Sequence, residues 1–197
     1  MSIKQRRYQI LMDFEKVHCF LTDTYNFQTL NSYLLPQYFE YAHHLQWFDY
    51  IRSYRMGLWE EDGKLVGVAC YEMPIGTAHL HTKPEHKFLL PDLLKWSEQE
   101  ISTCENAKHS LNVWITDKEA EKQNLLKENG YQLIHTEPVK IFRFENEFVE
   151  KKLPEGYQII DGTNVDPAKL AKCFWLGFDH KELPPDINTD GNMQMLN

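Results

Sequence analysis

The chain has 197 residues, 42% hydrophobic, 25% charged and 13% aromatic, a globular composition long enough to bury a core without disulfide staples. Twenty-one Lys and Arg against 29 Asp and Glu leave a net charge of −8, which argues against a nucleic-acid backbone as main partner. Apolar runs such as Leu65 to Tyr71 are too short to span a bilayer, Asp13, Glu15 and Lys16 interrupt any leader-like start, and Cys19, Cys70, Cys104 and Cys173 form no CxxC pair. A protein of the reduced cytoplasmic compartment is expected, with no membrane partner and no metal.

Tyr8 to Leu11 reads as a short strand, followed by a helix with Val17, Phe20 and Leu21 on one face. A second helix is predicted from Pro36 to Phe48, with Tyr38, Tyr41, Ala42 and Leu45 at helical spacing. Met56 to Glu61, Asp62-Gly63 and Lys64 to Glu72 read as a β-hairpin, because Asp-Gly suits the two positive-φ positions of a type I′ turn. Its second arm is apolar throughout Leu65 to Tyr71, as in a strand covered on both faces. After a turn at Pro74 to Gly76 comes a strand, Thr77 to Thr82. A helix over Leu89 to Ile101 has Pro91 in its first turn and Leu90, Leu93, Leu94 and Ile101 as its buried stripe.

Ser110 to Ile115 reads as the next strand, and Thr116 with Glu119 matches a capping box. The helix it opens carries Leu125 and Leu126 and ends at Gly130, a left-handed cap. Tyr131 to His135 and Val139 to Phe144 are predicted as two further strands around a turn at Pro138. The fold class is therefore α/β (α+β): a mixed, mostly antiparallel central sheet with a parallel βαβ unit and helices on both faces. Residues 1–150 form one domain. Glu145 to Lys152 read as a charged linker. Beyond it Tyr157-Gln158-Ile159-Ile160 echoes Tyr8-Gln9-Ile10-Leu11, and Asp166-Pro167 starts a helix with Leu170, Phe174 and Gly177 at its spacing. Residues 151–197 are read as the linker and the opening of a second, similar domain cut short, with a polar tail after Phe178.

Several segments in this order resemble the acyl-CoA N-acyltransferases of the GNAT superfamily. Gly57 to Gly67 is similar to the family's second and third strands, Thr82-Lys83-Pro84-Glu85-His86-Lys87 to the exit from its fourth strand, Leu93 to Glu98 to its third helix, and Leu126-Lys127-Glu128-Asn129-Gly130-Tyr131 to the ending of its fourth. The resemblance covers roughly residues 8–146 and suggests the N-terminal part of a tandem two-domain member. It implies transfer of an acetyl group from acetyl-CoA to an amine, either a small molecule or a lysine or N-terminal amine. The partners implied are that amine and a second domain or second copy.

The same resemblance implies a cofactor surface at His81, Thr82, Lys83, Lys87, Phe88, Leu89 and Leu90. This loop departs from the family's glycine-rich pattern: Phe88-Leu89-Leu90-Pro91-Asp92 has no glycine, Pro91 lacks an amide hydrogen, and Asp92 sets a negative charge where a phosphate would arrive. Where many members carry a tyrosine acid in the fourth helix, Leu126 stands here, and Tyr131 in the Gly-Tyr ending becomes the acid candidate. An amine must lose a proton before it attacks a thioester, and Glu72 is the nearest candidate base. His79 and His81, at period two on one strand face, are alternatives. The blander readings are a solvated edge carboxylate for Glu72 and packing residues for the histidines. The second functional hypothesis is a non-catalytic acyltransferase-like domain used for packing, dimerisation or forming a substrate cleft.

Overall fold

The structure, a computed structural model, describes residues 2–27, 30–45, 48–72, 75–141, 145 and 151–178. The chain divides into two compact units, Met1–Thr136 and Glu137–Asn197. In the first unit, the strand expected at Tyr8 to Leu11 lies earlier. β1 is Ile3–Arg7, and Ile10 already begins α1, Ile10–Thr24. The helix starts there because the Asp13 carboxylate accepts the Gln9 amide at 2.9 Å and clamps the Arg6 guanidinium at 2.6 and 2.8 Å. Val17, Phe20 and Leu21 form the buried face of α1, as their spacing predicts.

α2, Pro36–Ala42, is shorter than the stretch to Phe48 predicted for it, and it buries Pro36, Phe39 and Ala42 rather than Tyr38 and Tyr41, which are exposed. The Tyr50 hydroxyl donates to the His43 carbonyl just beyond its end, where the chain turns away. A short 3-10 helix, Tyr50–Arg55, then leads into the hairpin β2, Gly57–Glu61, and β3, Lys64–Cys70. Asp62 and Gly63 take φ of 49° and 77°, the turn that Asp-Gly predicts. β4, Thr77–Thr82, pairs antiparallel with β3.

The five-stranded sheet has the order β1-β2-β3-β4-β7 and is antiparallel except for its last pair. The register puts Leu58, Val68, Cys70, His79 and His81 on one face, with α1 and α2. Gly67, Ala69 and Leu80 face the other way, toward α3, Leu90–Trp96, whose Leu93 side chain lies beside Gly67. Leu90, Leu93, Leu94 and Ile101 are buried as predicted. The last turn of this helix widens: Ser97–Ile101 is a π turn, closed by the Ser102 amide on the Ser97 carbonyl at 3.0 Å.

A small hairpin not foreseen from the sequence follows, β5 (Thr103–Glu105) and β6 (Lys108–Ser110), turning through Asn106 and Ala107 at φ 51° and 61°. β7 is only Asn112–Val113, shorter than the predicted Ser110 to Ile115. α4, Ala120–Glu128, ends near Gly130 at φ 80°. The strands predicted at Tyr131 to His135 and from Val139 onward do not form over residues 131–141; Phe142 to Phe144 lie outside the described residues. A two-residue β7 offers almost no ladder for a further strand, and adjacent Leu133 and Ile134, which would point to opposite faces, are both exposed.

In the second unit, α5 spans Pro167–Gly177 with Pro167 in its first turn and the Asp166 carboxylate accepting the Ala168 amide at 2.8 Å. The predicted echo at Tyr157 to Ile160 is not a strand; Tyr157 and Ile159 are exposed irregular chain. Asn146 to Glu150 of the expected linker, and the tail from residue 179, lie outside the described residues.

Candidate functional site

The chemistry gathers where β4 parts from β7. The parallel ladder covers only Thr77↔Asn112 and Ala78↔Val113, and its last bond runs from the Trp114 amide to the Ala78 carbonyl at 3.2 Å. Backbone groups alternate sides along a strand. The Lys83 amide reaches Val66 of β3 at 3.0 Å, and Ala78 faces β7, so Leu80 and the Thr82 amide face the gap. No backbone hydrogen bond crosses it beyond Ala78. The chain after Trp114 is held elsewhere: the Thr116 amide donates to Glu119 Oε2 at 2.7 Å and its hydroxyl to the Leu30 carbonyl at 2.9 Å. The predicted capping box does not cap α4, which begins at Ala120 with Glu119 at its N-cap and Thr116 three residues earlier.

Beside the gap stand His79 and His81, 2% and 7% exposed. Neither nitrogen of His79 has a hydrogen-bond partner, nor has Nε2 of His81. Ser32 Oγ gives its proton to the Leu34 carbonyl at 2.8 Å, so toward His81 Nδ1, 3.4 Å away, it acts as acceptor. That fixes the proton of His81 on Nδ1 and leaves a bare lone pair on Nε2. Burial, with Lys122 nearby, pushes the His79 pKa down to about 3 and that of His81 well below its ordinary value. Both rings are neutral at pH 7. Tyr33 stacks between Trp114 (4.6 Å) and His79 (6.0 Å), and Lys122 is paired with Glu119. Among the described residues no three His, Cys, Asp or Glu side chains converge as a metal site would require.

Glu72 is half-buried just past β3, and burial raises its pKa. Continuing the register sets it opposite Thr77, at the paired end of β4, about 16 Å along the strand from Thr82. Tyr131 is tied to the opposite face: its hydroxyl donates to Glu98 Oε1 at 3.0 Å, in a cleft of about 420 Å³ lined also by Ser102, His109 and Gly130. Burial and that carboxylate push its pKa up. Tyr131 therefore stands apart from the histidine pair, whereas the charge of Glu72 acts on Cys70, the residue paired with His79.

The predicted cofactor residues separate as well. His81 and Thr82 border the gap. Leu89 and Leu90 are core side chains, Phe88 is exposed, and Lys87 Nζ lies 2.8 Å from Glu121. Pro84 and Pro91 have no amide hydrogen, and the Lys83, His86 and Leu90 amides are occupied by the Val66, Lys83 and Lys87 carbonyls. Along the gap Leu80 is buried and Thr82 half-buried. For a diphosphate, which needs free amides or unpaired cations, the loop offers little: among the described residues Lys83 has no ion pair, whereas Lys87 is taken by Glu121.

Ser32, Tyr33, Trp114 and Lys122 escaped the sequence reading. Only Glu119 had a signal there, as a helix cap. Compared with known proteins, the chain matches no family model, no curated protein and no solved structure. Among the described residues no helix is long and apolar enough to cross a membrane.

Proposed function

We propose that the first unit is an N-acetyltransferase of the GNAT type, passing an acetyl group from a thioester, acetyl-CoA in the family it resembles, to an amine. The observation that carries this reading is the parting of β4 from β7 after Ala78 beside two buried, neutral imidazoles. An extended thioester arm would pair with the unmated edge of β4 as a strand does. The donor supplies an activated acyl carbon. The amine nitrogen bonds to that carbon, the carbon–sulfur bond breaks, and the amine proton passes to His81 Nε2 and from there to the departing thiolate. The bare nitrogen supports that role, and the burial that lowers its pKa makes it a weak base. The net charge of −8 favours a cationic acceptor, a small-molecule amine or a lysine or N-terminal amine, as an electrostatic tendency. A second domain or a second copy of the chain is the proposed partner, as the resemblance implies.

A ligand specific for the native state raises apparent stability, by about 2.7 kcal/mol at a hundredfold excess over Kd. Titration with acetyl-CoA should therefore raise the melting temperature, and added amine should release free thiol. The competing reading, a non-catalytic domain of the same fold, is favoured by the amide-poor loop after β4 and by Leu126 at the helix position of the family's acid. Absence of any stability shift at millimolar thioester would select it.

A further inference from the structure

We infer that the cleft beside Glu98 and Tyr131 is a second ligand site, and that it takes a primary ammonium group carried on an alkyl stem. It shares no residue with the gap at β4, so it stands or falls apart from the acyltransferase reading.

Three elements build the cleft, and each supplies a hydrogen-bond acceptor. The π turn that ends α3 supplies Glu98. Tyr131 occupies Glu98 Oε1 at 3.0 Å, and Oε2 has no partner among the described residues. β6 supplies His109. The Ser102 hydroxyl gives its proton to the Glu98 carbonyl at 2.6 Å, so toward His109 Nδ1, 3.3 Å away, it acts as acceptor. The neutral ring therefore has its proton on Nδ1 and a bare lone pair on Nε2. The end of α4 supplies Asn129, whose amide nitrogen is spent on the Leu125 carbonyl at 2.8 Å, leaving Oδ1 to accept. That end is also the negative pole of the α4 dipole.

Such a set asks for a cation with protons to give. Among the described residues no Lys or Arg lines the cleft or pairs with Glu98. Glu98 and His109 are too few side chains for a metal ion, and among the described residues no third joins them. A guanidinium meets a carboxylate through a planar fork that uses both oxygens, and Tyr131 already holds one of them. An ammonium has three donors that rotate together on a flexible stem and suits acceptors drawn from separate elements. Leu111, half-buried in the wall, gives the stem apolar surface. At about 420 Å³ the cleft has the size of a small-molecule site. The wide turn that carries Glu98 is of a kind that recurs at functional sites.

The test follows amide resonances of the full chain by nuclear magnetic resonance during titration with n-pentylamine, n-pentanol and n-pentylguanidine. Pentylamine should shift the Leu111, Gly130 and Tyr131 amides with a Kd of about 1–10 mM. Pentanol, which has the stem without the charge, and pentylguanidine should each bind at least about fivefold more weakly. Glu98→Gln keeps an oxygen for Tyr131 and removes the charge. It should weaken pentylamine about tenfold, or about 1.4 kcal/mol, with the melting temperature unchanged. His109→Ala, at an exposed residue, should weaken it about threefold. A lysine blocked at both ends separates two sources of the ammonium: tighter binding than pentylamine assigns it to a lysine side chain of a peptide, and equal or weaker binding to a free amine. Pentylamine binding that survives Glu98→Gln, equal binding of pentanol or pentylguanidine, or no shift at about 50 mM amine overturns the inference. None of these results bears on the acetyl-CoA titration, which reads the gap.

Discussion

The His79 imidazole lies parallel to the Tyr33 ring, 3° apart in plane with centroids 6.0 Å apart, and neither of its nitrogens has a hydrogen-bond partner. Stacking therefore holds the ring while its polarity goes unmet. A buried unpaired polar group costs about 1–3 kcal/mol. Replacing it by an apolar residue of similar volume should relieve that cost. His79→Leu is expected to unfold at the same or higher urea concentration than the parent. A loss of more than about 1 kcal/mol would show that the imidazole has a partner. Loss of transfer activity with stability kept would mark the ring as functional.

Acid should destabilise the fold earlier than carboxylates alone would. His79, His81 and His43 all have pKa values lowered chiefly by burial. In the unfolded chain they take up protons near pH 6.5; in the fold they resist. Their contribution is complete above about pH 6.5 and is lost as pH falls toward the folded values, by up to about 1.4 kcal/mol per pH unit for each ring. Glu72, whose pKa is raised by burial, acts in the opposite direction. Urea midpoints should hold between pH 8 and about 7 and fall from about pH 6.5 to 5, and His79→Leu should flatten that fall. A flat profile in the parent would contradict the burial of these rings.

Asp13, 1% exposed, is held by both arms of the Arg6 guanidinium and by the Gln9 amide. Burial pushes its pKa up, but those hydrogen bonds outweigh it and hold the carboxyl below its usual value. Its stabilisation is present above the ordinary Asp range and is lost as pH falls through the folded value. Asp13→Ala removes the start of α1 and unpairs one face of Arg6, which keeps Glu60. The expected cost is about 3 kcal/mol by denaturant unfolding. A cost under about 1 kcal/mol would mean the pair adds nothing beyond a surface bridge.

Gly57 and Gly63 should respond to alanine for different reasons. A Cβ on Gly57 would lie 2.8 Å from Trp96 Nε1 and 2.9 Å from Trp59, two packed rings. Trp96 is fixed by its bond to the Arg55 carbonyl at 2.8 Å and cannot retreat. Gly57→Ala should cost about 1–3 kcal/mol through overpacking. Gly63 has open space around it but φ of 77°, so Gly63→Ala should cost about 1 kcal/mol through backbone strain. Tryptophan fluorescence should shift in the first variant and stay unchanged in the second.

Legibility in the sequence followed the range of the forces. The Asp62-Gly63 hairpin, β4, the buried stripe of α3 and the Gly130 cap were readable because a few adjacent residues dictate each. Tyr8 to Leu11 misread because the deciding group, the Asp13 carboxylate, acts on Gln9 from within the next element. Tyr131 to His135 has strand-forming residues but meets a β7 of two residues, a fact of tertiary pairing. At the site, the H-x-H pair was visible by its period. Its surroundings were not: Ser32 and Tyr33 come to it from almost fifty residues upstream, and Trp114 from the far side of a crossover.

The widened turn at Ser97–Ile101 means that this helix accommodates one residue more than its length of axis requires. Shortening the chain by Gln99 should let the spiral close to its regular pitch while Leu93 and Leu94 stay seated. The region after Ile101, the small hairpin included, would then keep its place, because the surplus residue is the one the wide turn absorbs. A deletion in the last turn of a core-packing helix, ordinarily ruinous, becomes here one that the body can take without rearranging.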